Sequence, residues 1–438
     1  MNEPQISVGI VAAESISVTF DGIYSVGGDT LSTDALQRIT IDNTAIAWRG
    51  EEFSELLFTP TDMDSCSFTL EDVVIGIGFH WERHERQRFR GALRIIIENG
   101  LLRAINVVGV EEYLTSVISS EMSATSSVEL LKAHAVISRS WLLSQIAQRN
   151  KKRHEQNCGV QTDDELIRWY DREDHELFDV CADDHCQRYQ GITRRTTETA
   201  LQAVRATRGE VLTANGEICD ARFSKCCGGA MEEFQYCWEP REHSYLRRGP
   251  DSDDASAILP DLTQEDEARR WILSTPKSFC NTSDRRVLSQ VLNGYDRETA
   301  DFYRWRTEYT QQELSELIGQ RSGVDFGQIV ALNPVSRGVS GRLWKLQIVG
   351  TKRTMTIGKE LEIRRTLSHS HLYSSAFVVE PKDVSADGIP GRFVIIGAGW
   401  GHGVGLCQIG AAMMSERGYK YDEILHHYYY ATNIEKLY

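Results

Sequence analysis

An α+β fold made mostly of antiparallel sheet is what this 438-residue sequence predicts, on three observations. Residues 1–108 alternate apolar and polar side chains in short runs. The period changes to that of a helix at about Val110. Alternating runs then return over 325–397, after a charged stretch. Strands and helices are therefore grouped, not interleaved one for one, which argues against parallel βαβ units.

The first runs are "QISVGIV", "SISVTF", "LRIIIENG" and "LLRAINVV", strands joined by turns at Gly22, Gly27 and Gly100. Leu114, Val117 and Ile118 then suit a short helix, and Val128, Leu131, Ala135 and Leu142 a longer one ending near Ala147. Ser126 with Glu129 three residues on is a capping-box signature for the longer helix. Glu121 falls in the connection between the two, a place where scaffolds present function. Residues 150–190 are polar, and 196–208 are helical. "EVLTANGEICDARFSK" is a hairpin with its turn at Asn215–Gly216. The charged stretch 250–320 contains helical patterns near Glu265–Leu273 and Gln311–Ile318. The end, "CQIGAAMMSERGYKYDEILHHYYYA", is helical. These shifts divide the chain into 1–108, a β-rich region; 109–249, the first half of a core; 250–324, an insertion or subdomain; and 325–438, the β-rich second half.

Composition narrows the function classes. The chain is 41% hydrophobic and 25% charged, as in ordinary globular proteins. No segment approaches the roughly 20 apolar residues of a membrane span. The net charge of −15 argues against nucleic acid, whose phosphates need a basic face. A neutral sugar or peptide ligand remains open. The ten cysteines are unevenly spaced, and Cys226 and Cys227 are adjacent. Reduced thiols, some on a metal, fit this better than a secreted disulfide framework. The start, "MNEPQISVGIVAAESISV", does not have the form of a signal peptide. As written the chain is expected in the cytoplasm, or in the cell envelope if a leader was removed.

Four clusters carry chemistry. Glu121 between two helices is either a solvated loop residue or a general acid in a groove. Arg139 on the following helix is either a surface ion pair or a substrate clamp. "GWGHGVGLCQIGA" holds five glycines in thirteen residues, letting backbone approach a ligand or strand closely. It lacks the lysine and hydroxyl of a phosphate loop. His402 within it is a core histidine or a ligand contact. Gln408 opens a helix and is a donor for a polar ligand. "HELFDVCADDHCQRYQG" places His175, Cys181, His185 and Cys186 within twelve residues, the donor count of a closed tetrahedral zinc site. His154 and Cys158 form a reserve pair. The alternative is buried, reduced cysteines. Finally, "RFSKCCGGAMEEFQYCW" sets Lys225 and two thiols at a Gly-Gly bend.

Together these segments resemble the stage II sporulation protein D (SpoIID/LytB) family, which includes peptidoglycan lytic transglycosylases and amidase enhancers. The likeness starts at "LLRAINVVGVEEYLTSVISSEMSATSSVELLKAHAVISRSW". It runs through "HCQRYQG", the "FSKCCGG" turn and "SGR" at Arg342, and closes on "GWGHGVGLCQIGAAMMSERGYKYDEILHHYY". It covers about 110–240 and 325–435.

The resemblance implies that Glu121 is the catalytic acid, inside a helical region beside a substrate groove, with Arg139 as the second catalytic position. It implies a structural zinc on His175, Cys181, His185 and Cys186, and Lys225 near the Gly-Gly turn as a substrate contact. His402 and Gln408 are expected to join Lys225 there, and Arg139 and Gly399–Gln408 to border the groove. Cys407, Ile409 and the Cys226–Cys227 pair depart from the family's serine, aromatic and hydroxylated residues, and the 250–320 insertion is atypical. The expected activity is a lytic transglycosylase acting on peptidoglycan strands or muropeptides. Hydrolysis of a glycoside generally uses two carboxylates. A transglycosylase needs one, because muramic acid's own 6-hydroxyl is the nucleophile and the product is a 1,6-anhydro sugar. Two rival readings stand beside it: a non-catalytic module enhancing a partner amidase, and a hydrolase using Glu121 with Glu232 or Glu233.

Overall fold

The computed structural model describes residues 2–32, 34–75, 83–123, 126–149, 159–170, 175–183, 186–193, 197–254, 258–292 and 301–438. It is an α+β structure in which nearly all strand pairs are antiparallel.

The alternating runs of the first region fold into two facing sheets. One joins strands Gln5–Ala13, Leu101–Gly109, Ala92–Glu98 and Leu56–Pro60, and the other joins Arg83–Phe89, Ser67–Ile75, Ser15–Asp21 and Gln37–Asp42. The strands Ala92–Glu98 and Leu101–Gly109 meet through Asn99 and Gly100, both at positive φ, 52° and 79°. Such a turn matches the twist of the strands it joins. Between the sheets Phe20 meets Phe58 at 4.8 Å between ring centroids, and Trp48 meets Phe58 edge-on at 5.3 Å. Each such buried aromatic is worth ~1.5–3 kcal/mol of apolar transfer.

Strand Leu101–Gly109 runs directly into helix α1, Val110–Glu121, which buries Val110, Tyr113, Leu114, Val117 and Ile118. Helix α2, Val128–Arg149, is buried on every side. Its cap is Ser127, whose Oγ accepts from Leu130 N–H at 3.3 Å. The expected cap, Ser126, instead donates to Gln290 O at 2.7 Å, and Glu129 accepts from Tyr421 N–H. Two adjacent serines offer the same side chain to the cap, and tertiary partners choose between them.

The Asn215–Gly216 turn joins Glu210–Ala214 to Glu217–Ile218, and the C-terminal strand Asn433–Lys436 pairs with Glu210–Ala214 on its other edge. In the charged region the helices span Glu265–Leu273 and Gln311–Ser322. Strand Arg304–Thr310 pairs with Pro390–Ala398, which pairs with Phe377–Val384. The C-terminal helical stretch is two helices, Gln408–Glu416 and Tyr421–Tyr428, parted at Gly418, where φ is 91°.

Candidate active site

α1 ends at Glu121. Met122 turns to extended backbone, φ −115° and ψ 153°, while its N–H still reaches Ile118 O. Glu121 is therefore the last helical residue and not a member of the connecting loop. It is half-buried, and its Oε1 accepts from the Arg188 backbone N–H at 3.3 Å. The segment carrying that N–H is itself docked on α1: Gln190 N–H donates to Ser116 Oγ, and Tyr189 stacks on Tyr113 at 5.0 Å.

Glu121 opens onto a cleft of about 440 Å³ that Lys225, His402 and Gln408 also line. Its walls add Trp141, Tyr170, Phe223, Trp238 and Trp400 with Cys186, Gln187, Arg222, Ser224, Leu361 and Gly401. Glu121 is the sole carboxylate among these described lining residues. Five aromatic walls with a few convergent polar groups make a surface suited to a ligand with flat apolar faces and a polar rim.

The polar groups are held in fixed states. Gln408, the first residue of its helix and 2% exposed, donates from Nε2 to His134 Nε2 at 2.9 Å. His134 Nδ1 then lies 3.2 Å from Ser138 Oγ. Burial, with the nearby Lys225 charge, pushes His134 down to about 3. The ring is neutral and accepts the Gln408 proton, which fixes the amide's orientation. His402 Nδ1 accepts from Val404 N–H at 3.0 Å. Burial, and the charges of Arg222, Arg342 and Arg364, hold its pKa well below the usual histidine value. A neutral His402 with Nδ1 occupied carries its proton on Nε2. Lys225 Nζ donates to Val291 O at 3.0 Å. The Oγ of Ser224 has no hydrogen-bond partner in the described structure.

The glycine-rich loop makes this wall possible. Gly401, Gly403 and Gly405 have φ of 91°, 75° and 70°. A Cβ on Gly403 would lie 2.5 Å from Arg342 Cζ, and one on Gly405 2.0 Å from Arg222 O. Buried Arg342 clips the loop to the Gly-Gly bend, donating to Gly401 O, Cys227 O and Ser340 Oγ at 3.0–3.2 Å. Cys226 and Trp400 exchange both backbone hydrogen bonds, and strands Phe223–Ser224 and Leu406–Cys407 run parallel beside them.

The model of the stage II sporulation protein (SpoIID) domain matches residues 98–213, the stretch that contains both helices and Glu121. The match and the relatives below support assignment of the chain to the SpoIID/LytB family. A second model, a domain of unknown function (DUF8618), matches residues 232–405. The "Amidase enhancer" of Bacillus subtilis (strain 168) is 26% identical over 329 residues, 73% of this chain and 40% of that protein. The "Stage II sporulation protein D" of Bacillus amyloliquefaciens is 24% identical over 335 residues, 76% of each chain. The chain thus spans well under two-thirds of the amidase enhancer's own length and about three-quarters of the sporulation protein's.

Arg139 is not where the SpoIID/LytB resemblance led us to expect it. It is fully buried, paired with Glu111 at 2.7 and 3.0 Å, and it donates to Glu210 O at 2.9 Å. Glu111 also accepts from Gly209 N–H and Tyr438 O–H. Arg139 lines no part of the cleft. The pair joins α1, α2 and the C-terminus, and its charge is spent on that network. Glu232 and Glu233 do not line the cleft either. Glu232 is fully buried and accepts from Ser340 Oγ and the backbone N–H groups of Glu233, Val339 and Ser340, so no second carboxylate from this segment faces Glu121.

Three of the expected metal donors come together. The ligand atoms of His175, Cys181 and Cys186 lie within 4.8 Å of one another, and Cys186 Sγ is 3.6 Å from His175 Nε2. His185, the fourth, lies outside the described residues, as do His154 and Cys158. Two thiols and an imidazole are donors that zinc takes, so the residues present fit the metal that the resemblance implies. Cys186 also lines the cleft, and Gln187 and Arg188 follow it directly. A second group, Cys227, Asp251, Cys280 and Cys407, is wholly buried and could also hold a metal.

Sequence reasoning missed His134 and Arg342 as organisers, and the aromatic walls. His134 sits in an ordinary helical pattern and Arg342 in a short "SGR", and neither carries a local signal. Trp141, Trp238 and Trp400 had one: each lies within or just beyond a motif already singled out.

Proposed function

We propose that this chain is a cell-wall enzyme, a lytic transglycosylase that cleaves peptidoglycan glycan strands with Glu121 as its single acid/base. The observation that carries the reading is that Glu121 is the sole carboxylate among the described residues lining an aromatic-walled cleft. Glu121 would protonate the glycosidic oxygen. As the bond breaks, the 6-hydroxyl of the muramic acid attacks the anomeric carbon, and the resulting carboxylate takes up that hydroxyl's proton. No activated water and no second carboxylate is required, unlike the two-carboxylate chemistry of glycoside hydrolysis.

Other groups position rather than react. The Arg188 N–H steadies Glu121 Oε1. Lys225, His402 and Gln408 supply donors and an amide for sugar hydroxyl and acetamido groups. Zinc on His175, Cys181 and Cys186 would act structurally, tying down the segment that leads into Arg188. Peptidoglycan strands or muropeptides are the partners this reading requires, and the cell envelope is the compartment where they are met.

The name of the Bacillus subtilis relative supports a second reading, a glycan-binding module that stimulates a partner amidase. Mass spectrometry of glycan strands digested by the purified chain separates the readings. Anhydro-muramic ends support the transglycosylase. Reducing ends would indicate hydrolysis, and intact strands with faster amidase turnover would indicate an enhancer.

A further inference from the structure

The buried thiols around Cys227 play no part in the chemistry above. Cys227 follows the "FSKC" strand, Asp251 and Cys280 come from the charged region, and Cys407 closes the glycine-rich loop. The four ligand atoms lie within 4.8 Å of one another, and all four residues are buried. Cys227 Sγ and Cys280 Sγ are 3.6 Å apart. A tetrahedral ion with metal–sulfur bonds of about 2.3 Å sets its sulfurs about 3.8 Å apart. A disulfide would need about 2.0 Å.

The surroundings suit ligands, not idle thiols. Reduced cysteines that only pack behave as small hydrophobes, and a carboxylate has no place among them. Here Asp251 is oriented among the thiols by two donors, Cys280 N–H at 2.9 Å and Tyr428 O–H at 2.7 Å. Cys407 Sγ accepts from Cys227 N–H at 3.2 Å, and Ser278 Oγ lies 3.5 Å from Cys280 Sγ. Hydrogen bonds of this kind to ligating atoms make up the outer shell of metal sites. Two guanidinium groups stand beside the cluster, Arg342 donating to Cys227 O and Arg304 to Gly228 O, and His427 Nε2 is 3.8 Å from Asp251 Oδ1.

We propose that Cys227, Asp251, Cys280 and Cys407 form a second metal site, binding one divalent cation of the zinc class as a structural clamp. Three thiolates and a carboxylate close a tetrahedral shell and leave no position for water or substrate. Thiolate-rich donors select zinc over magnesium or calcium. Binding releases the thiol protons to solvent, and no bond within the chain is made or broken. The ion would join the Gly-Gly bend, the charged region and the glycine-rich loop behind the cleft wall. The site is independent of whether the cleft cleaves glycans, and it shares no ligand with the His175 cluster.

Metal analysis of the full chain tests this. The parent should carry two metal equivalents. Cys280→Ser and Cys407→Ser should each lose one, and Cys181→Ser with Cys186→Ser should lose the other. Unchanged metal content in Cys280→Ser and Cys407→Ser would overturn the site, as would a Cys227–Cys280 disulfide found by non-reducing peptide mapping, or iron with acid-labile sulfide. If the serine variants do not fold, cobalt substitution decides. In Cys181→Ser/Cys186→Ser, which leaves the second cluster whole, thiolate-to-cobalt charge-transfer absorption should remain. Its absence would overturn the proposal.

Discussion

The two ends of α1 carry two glutamates with opposite fates. Glu111 stands in the first turn, where the helix dipole favours an anion, and it is paired with buried Arg139 and two further donors. Glu121 stands at the last turn, where the dipole gives an anion no support, and its carboxylate accepts from the Arg188 backbone N–H. Ten residues separate them, about 15 Å along the axis. One acid stabilises the fold, while the other is held at the edge of a cleft at no benefit to the helix. An acid in that position, open to a ligand, is what the proposed acid/base role of Glu121 requires.

The largest effect expected from this contrast is at Glu121. Glu121→Gln preserves shape and removes the transferable proton. Glycan cleavage should fall by at least the ~10²–10⁴-fold that acid–base catalysis contributes. Melting temperature and glycan binding should hold. A folded variant releasing anhydro products at the parent rate would remove Glu121 from the mechanism.

Arg139→Met acts on the other end. It leaves the part-buried Glu111 without its cation, and stability measured by urea unfolding should fall by up to ~3–5 kcal/mol. Cleavage per folded molecule should stay at the parent level. A well-folded Arg139→Met that loses turnover would return Arg139 to the cleft and break the comparison.

A smaller effect separates the neutral histidine behind Gln408. His134 has a folded-state pKa near 3 against an ordinary 6.5, because burial opposes its charge. Below pH 6.5 the unfolded chain takes up a proton that the folded chain does not. Its contribution is therefore fully present above pH 6.5 and is lost as pH falls towards 3. The slope approaches ~1.4 kcal/mol per pH unit. The stability difference between parent and His134→Gln should shift by that slope between pH 6 and pH 4. A constant difference would mean that His134 is protonated in the folded state.

The smallest effect is at Ser224. Its Oγ has no partner in the described structure. Ser224→Ala should leave the melting temperature unchanged or slightly higher. Glycan affinity should fall by the ~0.5–1.5 kcal/mol of one hydrogen bond, read by calorimetry. Unchanged affinity would show that the hydroxyl does not meet the ligand.

Local pattern determined much of this protein. Alternation of period 2 marks the strands of residues 5–109, and the change at Val110 marks α1. Asn99–Gly100 and Asn215–Gly216 mark their turns, because only certain residues tolerate positive φ. Motif likeness singled out Glu121, Lys225, His402 and Gln408, which line one cleft. Tertiary structure alone decided the rest. α2 is buried all round, so no apolar face indicates where Arg139 points. It lies five residues, about 140° of rotation, from His134, which meets Gln408 at the cleft, and so it reaches Glu111 instead. Adjacent Ser126 and Ser127 are equivalent caps until Gln290 claims one of them. Cys227 and Cys407 are 180 positions apart, and their meeting depends on a loop whose glycines admit Arg342. Local periodicity encodes which face of a segment is apolar. It does not encode which distant polar group will satisfy a buried one, because that partner is set by packing.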